Sequence, residues 1–202
     1  MPVVRTSRSP SPFGGILGTR MPGRASATDV MPRQFQFCPY CAAAMQTQMR
    51  GGRPRRVCEP CGFVAYRNPT IGVAVVVMDG DRILLGRRVA GGSYGGAWCI
   101  PCGHVEWDED IRVAARREME EETGLVVELD ELLAAHSNFH NPAQHTVGVW
   151  FVGRVVGGTL EAGDDLDQVD YFELDAPPPL AFPTDELVLQ QLRERRERSR
   201  AG

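Results

Sequence analysis

Residues 103–125, with the sequence GHVEWDEDIRVAARREMEEETGL, decide how the rest of this chain is organised. Residues 110–123 contain neither proline nor glycine and are rich in alanine, arginine, glutamate and methionine, and Gly124 follows directly. These residue types favour helix, and glycine commonly ends one. The acidic side chains of Asp108 and Glu109 suit the positive amino end of a helix. The stretch therefore predicts a short loop followed by a helix that stops at Gly124.

The predicted helix changes from apolar to acidic along one face. At roughly 100° per residue, three apolar residues share this face and three glutamates continue it: Ile111, Ala114, Ala115, Glu118, Glu121 and Glu122. A run of charges is usually a solvated surface, but Arg112, Arg116 and Glu120 already supply the outward face. Carboxylates that point inward repel one another and are costly to desolvate unless cations lie between them. Oxygen ligands of this kind suit the hard cations Mg²⁺ or Mn²⁺.

The spacing of residues 103–125 fills every fixed position of the motif GX5EX7REUXEEXGU, where U is aliphatic, and so resembles the Nudix hydrolases. The resemblance implies an α/β fold, built as an α/β/α sandwich, and hydrolysis of phosphorus-containing anhydrides. It also implies an orienting ion pair between Arg117 and Glu109. The four implied metal ligands are the carboxylates of Glu118, Glu121 and Glu122 and the carbonyl oxygen of Cys102. Arg88 and Gly103 are further expected to contact the substrate.

Cys102 departs from the common form of this motif, which has a glycine at that position. A carbonyl ligand does not require glycine, so activity remains compatible with the sequence, but the turn must accommodate a β-carbon. The departure creates a C-x-x-C pair with Cys99. Because no further ligands lie nearby in the sequence, two reduced cysteines at a strand end are favoured over a third metal site or a redox site.

Two other C-x-x-C pairs lie towards the amino terminus. Cys38 pairs with Cys41 and Cys58 with Cys61, and sixteen residues separate the pairs. This spacing is typical of a four-cysteine zinc ribbon, in which each pair offers two thiolates to one tetrahedral ion. Disulfides are disfavoured because no secretory signal is present. The zinc is expected to be structural, since protein ligands fill all four positions.

Composition and charge set the domain plan. The chain has 202 residues, 43% hydrophobic and 24% charged, which suits one core and a small appendage. Residues 1–33 have the composition of a disordered tail, residues 34–68 are predicted to be the ribbon, and residues 69–202 the Nudix domain with a terminal helix. The net charge of −4 gives no general signal for nucleic acid, and no apolar run is long enough to span a membrane. We expect a cytoplasmic protein, and a homodimer is compatible with the sequence.

The remaining segments predict the strands of the larger domain. Residues 71–78 and 82–88 are expected to form a hairpin around Asp79 and Gly80. Further strands are predicted at residues 126–135, 147–156 and 169–174. Thr184 or Asp185 is expected to cap a terminal helix that ends within the charged run of residues 193–200.

The order of a zinc ribbon followed by a Nudix domain resembles a subgroup that includes NADH pyrophosphatases and ADP-ribose or FAD pyrophosphatases. Residues 135–140, AHSNFH, lack the SQPW-type motif of the NADH enzymes, which favours ADP-ribose-like or FAD-like substrates. The resemblance thus implies metal-dependent hydrolysis of a diphosphate linkage that releases a nucleoside monophosphate. Alternatives are a nucleoside triphosphate pyrophosphohydrolase and a non-catalytic nucleotide sensor. A sensor would be expected to lose the acidic ligands, and this chain keeps them.

Hydrolysis also needs a carboxylate that takes the proton of the attacking water. Glu118 is one candidate, and Asp165, in the acidic segment of residues 164–167, is another. A solvated turn is an equally good interpretation of that segment. His136, His140 and His145 are candidates for a base or ribose pocket, although lone histidines are more often ordinary surface or core residues.

Overall fold

The computed structural model describes residues 35–92 and 94–202, and the predicted tail at residues 1–33 lies outside the described residues. In the described part, one antiparallel sheet consists of three short strands. These strands are β1 (Gln46–Arg50), β2 (Arg53–Val57) and β3 (Val64–Ala65). The following elements are β4 (Thr70–Asp79), β5 (Arg82–Arg88), β6 (Trp98–Cys99), β7 (Cys102–His104), α1 (Ile111–Thr123), β8 (Leu125–Asn138), β9 (Thr146–Gly158), β10 (Leu166–Glu173) and α2 (Pro183–Ala201).

The larger sheet has the strand order β10-β5-β4-β9-β8, with β6 beside β5 and β7 beside β4. Strands β4 and β9 are parallel, and the other pairs are antiparallel. The predicted hairpin is present, and Gly80 has a φ of 63°, a left-handed conformation that glycine adopts readily. Strands β4 and β5 pair only next to this turn. Further along, β4 pairs with β7 and β5 with β6, so the segment from Cys99 to Cys102 lies where the two strands separate.

Alternating residues of β4 pack into two different hydrophobic cores. Val73, Val75 and Val77 pack with the buried face of α1. Ala74 and Val76 belong to the second core, which contains buried residues of α2. Because successive side chains of a strand point to opposite faces, the two helices cover opposite sides of the sheet. The predicted α/β/α sandwich is confirmed.

The terminal helix differs from its prediction at both ends. It begins at Pro183 after Phe182, which makes no side-chain capping hydrogen bond, so the prediction of Thr184 or Asp185 as the cap is wrong. Proline is well suited to the first helical position because it lacks the amide hydrogen that would be unpaired there. The helix also continues through the charged run to Ala201, where its arginines pair with acidic residues elsewhere in the domain, for example Arg196 with Asp175 at 2.7 Å. Neither helix in the described part combines the length and hydropathy needed to cross a membrane.

Candidate active site

Helix α1 has well-defined ends. Asp110 caps its first turn and accepts a hydrogen bond of 2.8 Å from the backbone amide of Arg112. Gly124 ends the helix in a left-handed conformation with a φ of 69°, and its amide donates to the carbonyl of Glu120 at 2.8 Å. Ala114 and Met119 are buried against the sheet. The acidic end of the helix is therefore held in a fixed position beside β7.

Gly103 leaves the space that the Glu118 side chain occupies. A β-carbon added at residue 103 would lie 1.9 Å from Cδ of Glu118, far inside van der Waals contact. Glycine is thus required here for close approach rather than for a left-handed backbone. Cys102, by contrast, lies in strand β7 opposite Ala74, so this turn accommodates a β-carbon. Burial raises the pKa of Glu118, although Arg117 acts in the opposite direction.

Glu122 is almost completely buried, with 1% of its surface exposed. Its Oε2 atom accepts a hydrogen bond of 2.6 Å from the backbone amide of Cys102. Burial raises the pKa of Glu122 well above its usual range, and the neighbouring Cys99 thiol and Asp165 carboxylate add to the shift. A carboxylate in this environment is costly to ionise unless a cation is nearby.

Arg117 connects the loop before α1 to the acidic end of the helix. Its guanidinium contacts Glu109 through two nitrogens at 2.9 and 2.8 Å, which is the two-point geometry of a strong pair. It also donates to Glu118 at 2.8 Å and to Glu121 at 2.9 Å. The hydrogen bonds from Arg117 lower the pKa of Glu109. Glu121 is 51% exposed in its side chain, so the expectation that it points inward with the other two glutamates is wrong.

Asp165, directly before β10, adds a third carboxylate near Glu118 and Glu122. Its Oδ2 atom lies 2.5 Å from Arg88, whereas its Oδ1 atom is buried without a hydrogen-bond partner among the described residues. Glu118, Glu122 and Asp165 all line one cleft of about 490 Å³, together with Cys102. Carboxylate and backbone carbonyl oxygens are the ligands that hard divalent cations prefer. The residues present therefore fit a Mg²⁺ or Mn²⁺ site.

The cleft contains some of the predicted site residues and excludes others. Arg88 and Gly103 line it, as expected for substrate contacts, and so does His140. Its lining does not include Glu109, Arg117, Glu121, His136 or His145.

Sequence reasoning missed three aromatic residues of the cleft, and one of them, Trp150, lies in β9. The other two, Tyr94 and Phe182, line it together with His140. Their ring centroids are 5.3 Å apart, and each is in contact with the His140 ring. Tyr94, His140 and Phe182 come from different loops and share no motif. The only signal in the sequence was that Tyr94 and Phe182 each lie in a segment next to a predicted strand or helix end.

Asp185 is a further residue whose role was missed, and it supports the turn before β7. It is buried, and its Oδ2 atom accepts a hydrogen bond of 3.1 Å from the backbone amide of Ile100. Burial raises its pKa to about 7, although that hydrogen bond opposes the shift. The nearby indole of Trp150 also opposes it, without making a hydrogen bond of normal geometry. The carboxyl group thereby ties α2 to the segment that precedes Cys102.

The four amino-terminal cysteines converge as predicted for a zinc ribbon. The Sγ atoms of Cys38, Cys41, Cys58 and Cys61 all lie within 4.8 Å of one another. Two of the distances are 3.5 and 3.4 Å, too long for a disulfide and close to the sulfur separation of about 3.8 Å in a tetrahedral zinc site. The cluster can therefore hold zinc. Cys99 and Cys102 are free thiols.

Comparison with known proteins gives matches over most of the chain. The NUDIX domain family matches residues 68–192. An ADP-ribose pyrophosphatase from Methanocaldococcus jannaschii is 33% identical over 129 residues, which are 63% of this chain and 76% of that protein. An NAD-capped RNA hydrolase, NudC, from Pseudomonas aeruginosa is 30% identical over 79% of this chain, which spans only 55% of that relative's length. The crystal structure of a NUDIX hydrolase from Nitrosomonas europaea matches with a TM-score of 0.71 and 27% identity, over 81% of this chain and 93% of the other.

Proposed function

The chain belongs to the NUDIX family, and on this basis we propose that it hydrolyses the diphosphate linkage of a nucleoside diphosphate derivative such as ADP-ribose or FAD. As a NUDIX hydrolase it is a pyrophosphohydrolase of nucleotide derivatives. The finer proposal is that the products are a nucleoside monophosphate and the phosphate ester of the second group. The observation that supports metal-dependent hydrolysis is the cluster of Glu118, Glu122 and Asp165 on one cleft.

The metal ligands in this proposal are the carboxylates of Glu118 and Glu122 and the carbonyl oxygen of Cys102. Glu121 is half-exposed, so it serves as a ligand on the solvent side of the cluster. When bound, Mg²⁺ or Mn²⁺ neutralises charge on the phosphoryl group and lowers the pKa of a water that attacks phosphorus. The cluster is prearranged for this role, because Gly103 and the Cys102 amide hold Glu118 and Glu122 in place before any substrate arrives.

Of the two candidates for the general base, the geometry favours Asp165. Glu118 already accepts a hydrogen bond from Arg117 at 2.8 Å. Asp165 keeps one oxygen without a partner among the described residues, while Arg88 holds the other. A base needs a free lone pair within hydrogen-bond reach of the proton that it takes. We therefore propose that Oδ1 of Asp165 accepts the proton of the attacking water.

The positioning role belongs to Arg117 and Glu109. Neither residue lines the cleft, yet the guanidinium contacts three carboxylates and the carbonyl of His104 at 3.1 Å. Such a contact set fixes the rotamers of the ligand carboxylates and offsets part of their mutual repulsion. The zinc ribbon has a separate role, because four cysteines leave no open position for chemistry, and we propose that its zinc is structural.

The choice of substrate rests on the relatives and on the AHSNFH segment at residues 135–140. The relative from Methanocaldococcus jannaschii is named for ADP-ribose, and the one from Pseudomonas aeruginosa for NAD-capped RNA. In both, a nucleoside diphosphate is joined to a second group, and we place the substrate of this chain in that class. Other relatives are named RNA pyrophosphohydrolases. A nucleoside triphosphate remains the competing class of substrate.

The test is a panel of ADP-ribose, FAD, NADH, NAD-capped RNA and dGTP with Mg²⁺, with products identified by chromatography. We expect higher kcat/KM for ADP-ribose or FAD than for dGTP, and AMP among the products, because groups at both ends of the diphosphate contribute binding energy. The best turnover for dGTP, with pyrophosphate released, would refute the substrate class and leave the metal site intact.

A further inference from the structure

We propose that Tyr94, His140 and Phe182 form the subsite that stacks against the planar base of the substrate. This inference deepens the diphosphate hydrolysis proposed above and rests on it. The three rings are in mutual contact, with centroids separated by 5.2, 5.3 and 5.7 Å. All three line the cleft that contains the acidic cluster. Aromatic rings are the usual platforms for bases, since every base has a flat π-face.

The position of Arg88 sets the order of the groups along the cleft. Its guanidinium carbon lies 5.6 Å from the centroid of Phe182, and one of its nitrogens lies 2.5 Å from Oδ2 of Asp165. One cationic side chain therefore links the acidic cluster to the aromatic rings. A nucleotide presents its groups in the same order, from a charged diphosphate through a ribose to a planar base. Arg88 is placed to contact the phosphate nearest the ribose, as arginine commonly does in phosphate recognition.

The conformation of Tyr94 is unusual for a residue of its size. Its φ is 62°, in the left-handed region that bulky residues seldom occupy, and 40% of its surface is exposed. Asp164, which precedes Asp165, has a φ of 49° and lines the same cleft. Backbone conformations of this kind cluster at ligand sites, where the surrounding structure maintains them. Because Tyr94 is so exposed, it contributes little to the core, and packing alone does not account for its left-handed backbone. Both observations support a role in binding.

The other two rings are held by neighbours on the protein side. Nδ1 of His140 contacts Oδ1 of Asn138, which fixes the ring at the end of β8. Phe182 packs against a small buried cluster that contains Cys99, Leu166 and Ala181. Both rings are thus preorganised, which lowers the entropy lost when a ligand binds.

The experiment compares binding of AMP and ribose 5-phosphate, which differ only in the base, to the full zinc-loaded chain with Mg²⁺ by calorimetry. Neither ligand contains a diphosphate, so turnover does not interfere. We expect AMP to bind about tenfold or more tightly, the effect of one base stacked on aromatic side chains. The variants Phe182→Leu and Tyr94→Leu keep apolar bulk without an aromatic ring and are expected to lose most of this ratio. Tyr94→Phe should retain it.

Phe139→Leu is the matched control, because Phe139 is exposed beside His140 but does not line the cleft. It should keep the ratio of the unaltered chain, and circular dichroism verifies that every variant is folded. Equal affinity for AMP and ribose 5-phosphate, or an unchanged ratio in both leucine variants at residues 94 and 182, would overturn the inference. Neither result depends on hydrolysis, so a failure of the substrate panel and a failure of this subsite are distinguishable.

Discussion

The backbone amide of Cys102 donates a hydrogen bond of 2.6 Å to Oε2 of Glu122. This contact joins the start of β7 to the last turn of α1, and Glu122 itself is buried. It fixes the separation of two proposed metal ligands, the carbonyl of Cys102 and the carboxylate of Glu122. The turn and the helix therefore form one preorganised unit, and changes to either should affect the metal site.

The first prediction concerns the space at Gly103. Because a β-carbon at this residue would overlap Glu118, Gly103→Ala should displace that carboxylate and cost about 1–3 kcal/mol in the free energy of unfolding. We expect kcat to fall at least tenfold, measured on the best substrate of the panel. Gly157→Ala is the control, since its added carbon would meet only Val126 at 3.8 Å. Equal activity of the two variants would show that Glu118 needs no such space.

The second prediction concerns the two-point pair between Arg117 and Glu109. Lysine keeps the charge but not the planar fork, so Arg117→Lys should lose the geometry of this pair. We expect a fall of about 10- to 100-fold in Mg²⁺ affinity or activity, the usual effect of removing a group that orients metal ligands. Arg116→Lys alters an exposed neighbour on the same helix and should be silent. A Mg²⁺ titration of activity in both variants makes the comparison, and matching curves would remove the positioning role.

Most of the fold could be predicted from the sequence, because short-range patterns determine it. The absence of helix breakers in residues 110–123, and Gly124 after them, located α1 correctly. The spacing of the cysteines predicted their convergence. Helical geometry alone misplaced Glu121, whose side chain is half-exposed and accepts a hydrogen bond from Arg117, four residues earlier. The start of α2 was also missed, because Asp185 turns inward to Ile100 instead of capping the helix.

The aromatic part of the cleft, as an assembled surface, could not be predicted in the same way, although Arg88, Gly103 and His140 were individual candidates. Tyr94, His140 and Phe182 are distant in sequence, and only the packing of three loops brings them together. The pairing of Arg88 with Asp165 depends on the register between β5 and β10, which no local pattern specifies. The acidic residues of α1 could be grouped because helical spacing relates them, whereas a binding surface assembled from loops leaves no periodic signal.

The third prediction concerns zinc. We expect one zinc per chain in freshly purified, reduced protein, held by Cys38, Cys41, Cys58 and Cys61. Cys58→Ser should lose this metal and destabilise the ribbon, while Cys99→Ser should retain it. Elemental analysis of the three proteins is the measurement. A zinc content near zero in the unaltered chain would refute the assignment, as would an equal loss in both variants.

The fourth prediction concerns the pH dependence of stability. Burial raises the pKa of Asp185 from 3.8 to about 7, so the folded state binds its proton more tightly than the unfolded chain. Proton binding to Asp185 therefore stabilises the folded state. This contribution is fully present below the unfolded pKa and is lost as pH rises through the folded pKa. By this linkage, Asp185 costs the native state up to roughly 4 kcal/mol between about pH 4 and pH 8.

Urea unfolding across that pH range tests this contribution. Asp185→Asn cannot ionise but keeps an oxygen that can accept from Ile100, so its stability relative to the unaltered chain should increase from pH 4 to pH 8. Glu197→Gln, an exposed change on the same helix, should leave the pH profile unaltered. Parallel profiles for Asp185→Asn and the unaltered chain would contradict the proposed proton on Asp185.

The most direct test of the whole account is the Mg²⁺ dependence of ADP-ribose hydrolysis in Glu122→Gln, with Glu120→Gln as the control. The two residues lie on the same helix, but Glu122 is buried in the acidic cluster and Glu120 is exposed. Glutamine keeps the size of the side chain and removes the negative charge. We expect kcat for AMP release to fall at least 100-fold in Glu122→Gln, with a folded chain, and to stay within about twofold of normal in Glu120→Gln. Near-normal turnover of Glu122→Gln with an unchanged Mg²⁺ requirement would contradict the account.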